Sequence, residues 1–179
     1  MQHADLAELA LDARLLGADR LYALAPGTDL APVRARDTLV LVDADTASWS
    51  SWNRFADEFA ADTGARVVRI DDGGVTGPGF FDDVRRLGRP VVNSPKGQTT
   101  PVPPDLSRRQ VTGPEPCWTW ALVSRRDETR IAVHAAIEAL TGDIGPLGLD
   151  GAGVWLPTDD PFRPVSAVDP DRSGAASGA

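Results

Sequence analysis

The run Thr38-Leu-Val-Leu-Val42 constrains this chain more than any other stretch of it. Five consecutive β-prone residues without polar alternation suit a strand covered on both faces, as in a parallel sheet layered between helices. Asp43 ends the run, and a helical pattern follows. Over Ser51–Thr63, Trp52, Phe55, Ala56, Phe59 and Ala60 share one face, while Arg54, Asp57, Glu58 and Asp62 share the other. Gly64 stops the helix, and Arg66–Ile70 reads as the next strand. Strand, helix and strand in that order call for a crossover connection and an α/β fold.

The rest of the chain extends the alternation. Leu6, Leu9, Ala10, Ala13 and Leu16 form one helical stripe, which predicts a helix over 5–16 opened by Asp5 and closed by Gly17. Arg20–Ala25 reads as a short strand stopped by Pro26-Gly27, and Thr28–Asp37 as loop. Thr76-Gly-Pro78 opens a helix whose Phe80, Val84 and Leu87 share a face, with Gly88 at its end. Pro90–Asn93 is a short strand, and Ser94–Pro104, with four prolines, an irregular crossing. Cys117–Val123 alternates as a strand with Trp118, Trp120 and Leu122 on one side. Ser124-Arg-Arg-Asp127 resembles a capping box for a helix over 127–140, with Val133, Ala136, Ile137 and Leu140 turned inward. Val154-Trp-Leu156 is an apolar island able to pack back, and 169–179 is expected to be disordered for want of apolar groups. The expected fold class is α/β, with a mostly parallel sheet and flanking helices.

Composition narrows the function classes. With 179 residues, 42% of them hydrophobic, there is room for a core without staples. One cysteine rules out a disulfide framework, and two histidines beside it leave no set for a His/Cys zinc site. No apolar run approaches the roughly 20 residues of a membrane span, and the N-terminus lacks the segments of a signal peptide, so the expected setting is cytoplasmic, with no membrane partner. Eighteen basic against twenty-six acidic residues give a net charge of −8, the wrong sign for non-specific nucleic-acid binding. The charge is uneven: 85–109 carries +5 and the remainder −13. Solvated arginines on an outer face are the simpler reading of that basic stretch.

Tested motif by motif, the sequence offers no catalysis. Gly73-Gly74-x-x-Gly77-x-Gly79 has neither dinucleotide nor P-loop spacing, and Asp71 and Asp72 would repel a phosphate there. No G-x-S-x-G elbow exists. Cys117 sits in a buried strand, where cysteine behaves as a small hydrophobe. His134 lies between Arg130 and Glu138 on a charged helix face. The adjacent acid pairs 71/72, 82/83 and 159/160 diverge on any regular element and make no shared metal site. The expectation is therefore a non-enzyme without cofactor, metal or catalytic residues.

A binding site is expected where the strands 38–42, 66–70 and 90–93 end, since open α/β sheets bind ligands at their carboxyl edge. The loops there offer Thr46, Ser48 and Trp49, then Asp72 and Gly73, then Asn93 and Ser94. Trp49 suits either a core position or the wall of a ligand cleft. Helices starting after the first two loops would turn their N–H groups toward an anion, whereas Asp72 argues the opposite way, so ligand charge stays open.

In their order these segments resemble the effector-binding (substrate-binding) domain of LysR-type transcriptional regulators, in an actinobacterial style. The resemblance is carried by Ser51-Trp-Asn-Arg-Phe55, Arg66-Val-Val-Arg-Ile-Asp-Asp-Gly-Gly74, Gly77-Pro-Gly-Phe-Phe-Asp-Asp-Val-Arg-Arg-Leu87 and Arg89-Pro-Val-Val-Asn-Ser-Pro95. It continues through Arg108-Arg-Gln-Val111 and Trp118-Thr-Trp-Ala-Leu-Val-Ser-Arg-Arg-Asp-Glu128, and Arg20-Leu-Tyr-Ala-Leu-Ala-Pro26 is similar to the family's strand between lobes. It implies a periplasmic-binding-protein-like two-lobe fold with a small-molecule cleft between the lobes. Residues 27–110 would be lobe 2, 1–26 plus 111–145 a truncated remnant of lobe 1, and 146–168 a C-terminal extension. The family's helix-turn-helix and the opening of its first lobe have no counterpart in the sequence. DNA binding would then require a helix-turn-helix missing here, and the uncovered apolar surface would favour a homo-oligomer. The alternatives are a stand-alone cytoplasmic solute-binding or sensor protein of the same fold and, third, a small α/β enzyme.

Overall fold

The computed structural model describes residues 3–71 and 73–164. Its larger sheet is built around β4 (Leu39–Asp43), every residue of which is buried. β4 runs parallel to β5 (Arg66–Ile70) over five residue pairs and to β6 (Val91–Val92) over two. Between β4 and β5 lies α2 (Thr46–Thr63), and between β5 and β6 lies α3 (Gly77–Leu87). The two crossovers travel in opposite directions along the sheet, so right-handed connections put α2 on one face and α3 on the other. That covers β4 twice, which is why its sequence shows no polar alternation. Gly64 (φ 80°) and Gly88 (φ 62°) end the two helices in the left-handed conformation that glycine adopts without steric cost.

β6 stops early, and α2 makes good the loss. Beyond Val40, the side of β4 that faces β6 has no strand to bond. There the Trp52 indole Nε1 donates to the Leu41 carbonyl at 2.7 Å. Asn53 does the same for Asp43 twice, accepting from its N–H at 3.0 Å and donating to its carbonyl at 2.7 Å. Two consecutive helix residues thus satisfy three backbone groups that burial would otherwise penalise.

The remaining strands of this sheet are β2 (Tyr22–Pro26), β3 (Val33–Arg34) and β7 (Leu106–Thr112), in the order β3-β7-β2-β6-β4-β5. β2 is antiparallel to both β6 and β7. A second sheet has the order β1-β8-β9, from β1 (Leu11–Arg20), β8 (Glu115–Arg125) and β9 (Val154–Trp155). The fold class is α/β with two mixed sheets: four of the seven strand pairings are parallel and three antiparallel. Among the described residues no helix is long and apolar enough to cross a membrane.

Several sequence expectations change, and Val33–Arg34, read as loop, is strand β3. The helix over 5–16 is not formed: α1 covers only His3–Glu8, and 11–20 is strand β1, paired antiparallel to β8 from Leu11↔Arg125 to Arg20↔Cys117. Leu11, Ala13 and Leu15 alternate with Asp12 and Arg14 as well as they fit a helix, and a long partner strand outweighs the small intrinsic stability of a three-turn helix. Leu16 is the extra residue of a bulge, and Leu9, meant for the helix's inner face, is 61% exposed. The helix over 127–140 begins later, as α4 (Ile131–Thr141), because β8 continues through Ser124 and Arg125. Of its expected inward residues only Ile137 is buried, while Leu140 is 59% exposed. Finally, β7 forms where no strand was read, since only Leu106 and Val111 of its side chains are apolar.

The 154–156 island packs back as expected. Trp155 is buried on Phe55 and Phe59, with ring centroids 5.0 and 5.1 Å away, and its Nε1 donates to Asp62 at 2.8 Å. The disorder expected over 169–179 lies outside the described residues.

Asn53→Ala removes both bonds to Asp43 and leaves two buried backbone groups unpaired, for an expected loss of about 2–4 kcal/mol. Urea unfolding measures it; a loss below about 1 kcal/mol would mean that water replaces the carboxamide.

Candidate functional site

The carboxyl edge of β4 leads through Asp45 into α2. Asp45 caps that helix, its Oδ1 accepting from the N–H groups of Ala47 at 3.1 Å and Ser48 at 3.2 Å. Bonding to Ser48 holds the Asp45 carboxyl below its usual range. The helix N-terminus expected to attract an anion is therefore occupied by a carboxylate of the chain itself. Thr46, Ser48 and Trp49, read as loop, stand in the first turns of α2. Ser48 and Trp49 turn toward a cleft, and Thr46 does not line it.

The opposite bank is the turn after β6. Asn93 is buried; its backbone N–H donates to the Tyr22 carbonyl at 2.9 Å and its Nδ2 to the Tyr22 hydroxyl at 2.7 Å. Burial pushes the Tyr22 phenol up, against the nearby Arg108 guanidinium and the Asn93 bond, which pull it down. The chain then makes a one-turn 3₁₀ helix over Pro95–Gly97, where a side chain in place of Gly97 would collide with the Asn93 carboxamide. This tight turn presents Lys96, whose Nζ lies 4.3 Å from the centre of the Trp49 ring, a cation–π contact across the cleft.

β8 supplies the third wall. Trp118 and Trp120, two apart on a strand, point to the same face, with centroids 6.3 Å apart. Trp118 leans on Trp52 at 6.2 Å, and the Trp120 Nε1 donates to Asp19 at 2.7 Å. The space enclosed is about 230 Å³. Ser48, Ser51 and Ser94 line its wall, the buried Ser94 hydroxyl donating to the Val75 carbonyl at 3.4 Å, and among the described residues Lys96 is the only charged one lining it.

Of the seven residues expected at the site, the structure thus brings Ser48, Trp49 and Ser94 together. Asn93 supports the turn from beneath. Gly73 sits in an exposed turn (φ 73°) away from the cleft, and Asp72 lies outside the described residues. Lys96, Ser51, Trp118 and Trp120 were not singled out as ligand-facing. Their signal was weak: two tryptophans in an alternating strand read as core, and Lys96 read as part of a basic stretch. The other basic groups of that stretch turn elsewhere. Arg85 pairs with Asp82 and Asp105, Arg86 with Asp83 and Arg109 with Asp29, while Arg108 lies over the Tyr22 ring.

No group of three or more His, Cys, Asp or Glu among the described residues is placed to hold a metal ion. No family model and no curated protein matches the sequence. Among solved structures, the chain is similar to the OxyR regulatory domain of Pseudomonas aeruginosa in its reduced form, with a TM-score of 0.50 at 16% identity. The match covers 74% of this chain and 64% of that one, so the chain spans less than two thirds of the OxyR domain. The likeness shows a shared fold, the α/β fold of the OxyR regulatory domain. A second similar structure is the CcmR regulatory domain of Synechocystis PCC6803 in complex with 2-PG, with a TM-score of 0.48 at 11% identity, covering 75% of this chain and 67% of that one.

Cys117, the single cysteine, is buried on β8, and burial pushes its thiol up to about 11. At pH 8 roughly one thiol in a thousand is then ionised, against roughly a quarter for a free cysteine. Iodoacetamide is expected to modify the folded protein at least about 100-fold more slowly than the urea-unfolded chain. Mass spectrometry of a time course checks this.

Proposed function

We propose that this chain is the effector-sensing domain of a LysR-type transcriptional regulator and that it binds a small anionic molecule in the Trp49–Lys96 cleft. The observation that carries the reading is the lysine ammonium held over an indole face, opposite serine hydroxyls, at the carboxyl edge of an α/β sheet. Aromatic walls hold a flat ligand by its faces, and a few polar groups fix its orientation. With the helix N-terminus already capped, Lys96 supplies the attraction for an anion. A cleft of about 230 Å³ is smaller than the roughly 300–1,000 Å³ of drug-sized pockets, which favours a metabolite of few atoms.

The two banks of the cleft belong to different sheets: Ser48, Trp49, Ser94 and Lys96 attach to the six-stranded sheet, and Trp118 and Trp120 lie on β8. In this reading the sheets are the cores of two lobes, and a ligand between them reports its presence by fixing their relative position. Sensing needs no turnover, and the protein acts as a non-enzyme. DNA contact belongs to a separate helix-turn-helix segment, the setting is cytoplasmic, and the working unit is a homo-oligomer.

A thermal-shift screen of small carboxylates and phosphate esters tests the anionic site, because a ligand bound to the folded state raises Tm in proportion to its occupancy. At least one such anion is expected to give a saturable shift. Lys96→Gln is expected to weaken that ligand by about 10- to 100-fold, the range for a lost charge-assisted hydrogen bond of about 1.5–3 kcal/mol. An unchanged affinity in Lys96→Gln would overturn the assignment.

A further inference from the structure

Beside the first cleft, sharing Ser51, Trp118 and Trp120 with it, lies a second cavity of about 240 Å³, roofed by residues 157–162. We propose that it is a separate binding site, specific for a free amino acid with a single flat apolar side chain.

The roof is a built structure. Asp160 accepts from the Thr119 hydroxyl on β8 at 2.6 Å and from the Phe162 N–H at 2.8 Å. The Thr158 N–H donates to Glu58 on α2 at 2.5 Å, and Arg163 bonds the Leu156 carbonyl at 3.2 Å and the Thr158 hydroxyl at 3.0 Å. The segment is thereby tied to both of the other walls, and the cavity exists before any ligand enters. A preformed site spares the ligand the cost of ordering its walls.

The interior is aromatic, with Phe55, Trp118, Trp120 and Phe162 around it. Its charged groups are of both signs, unlike the single lysine of the first cleft. Asp160 is committed to the roof. Arg54 and Asp159 are not committed: Arg54 Nη2 and Asp159 Oδ2 stand 4.0 Å apart, the outer limit of an ion pair, with about half and a third of their side chains in water. A pair so loose and so wet contributes little, and parting it costs little. The guanidinium is a fork suited to a carboxylate, and the Asp159 carboxylate is an acceptor for an ammonium group. One α-amino acid satisfies both at once while its side chain enters between the rings. A volume of about 240 Å³ suits a single amino acid rather than a longer peptide.

Isothermal titration of the whole chain with L-phenylalanine and L-tryptophan tests the site, with the emission of the chain's five tryptophans followed for phenylalanine. One of the two is expected to bind saturably at one equivalent. 3-Phenylpropionate, which lacks the ammonium, and phenethylamine, which lacks the carboxylate, are each expected to bind at least tenfold more weakly. Arg54→Gln and Asp159→Asn, both at wet positions, are each expected to weaken the amino acid at least tenfold and to leave the ligand-free Tm unchanged. Lys96→Gln is expected to leave amino-acid affinity unchanged, which separates this site from the anion cleft. Absence of saturable binding would overturn the proposal, as would equal binding of the acid or amine, or loss of binding in Lys96→Gln alone.

Discussion

Trp52 and Asn53 take the hydrogen bonds that a longer β6 would have taken, and much of the molecule follows from that substitution. Because an indole and a carboxamide satisfy the outer half of β4, β6 is free to leave the sheet after Val92. The chain then turns through Asn93 and Ser94 into the tight 3₁₀ turn that carries Lys96. A strand that ran on would have closed the carboxyl edge; one that stopped without substitutes would have left buried polar groups unpaired. The cleft is the space between these alternatives.

The same helix joins the two sheets. Phe55 meets Trp52, Phe59, Trp118 and Trp155 with centroids 5.4, 6.3, 5.3 and 5.0 Å away, so rings from α2, β8 and β9 share one packing unit. Aromatic pairs at such distances add about 0.5–1.5 kcal/mol each beyond the area they bury. The small sheet thus docks on the aromatic face of the helix that completes the large one, and Trp118 serves both the core and the wall of a cavity.

The large sheet was legible where burial is two-sided, because nothing but apolar residues suits β4, and where glycine ends a helix, as at Gly64 and Gly88. It was illegible where two periodicities coincide. Leu11, Ala13 and Leu15 satisfy a strand, Leu6, Leu9, Ala13 and Leu16 satisfy a helix, and only the partner β8, a hundred residues away, decides between them. β7 escaped notice because arginine and glutamine occupy its centre, where Arg108 covers the Tyr22 ring and Arg109 meets Asp29. At the candidate cleft, the rule that ligands gather at strand ends named Ser48, Trp49 and Ser94, which the fold brings together. It could not find Trp118 and Trp120, since a strand from another sheet brings them there. Nor could it tell Lys96 from the arginines of the same stretch, of which Arg85 and Arg86 pair with acids one helical turn away and Arg109 with the distant Asp29.

Residues 154–163 cover the aromatic face of α2, yet about ninety residues of chain separate the two. During synthesis α2 leaves the ribosome long before its cover does. Phe55 and Phe59 therefore pass through an interval in which β4 and β5 can form while their outer rings stay wet. β1 waits in the same way for β8. A nascent chain halted between about residues 100 and 150 presents an open strand edge and a row of uncovered rings together, the combination on which chaperones and neighbouring chains act.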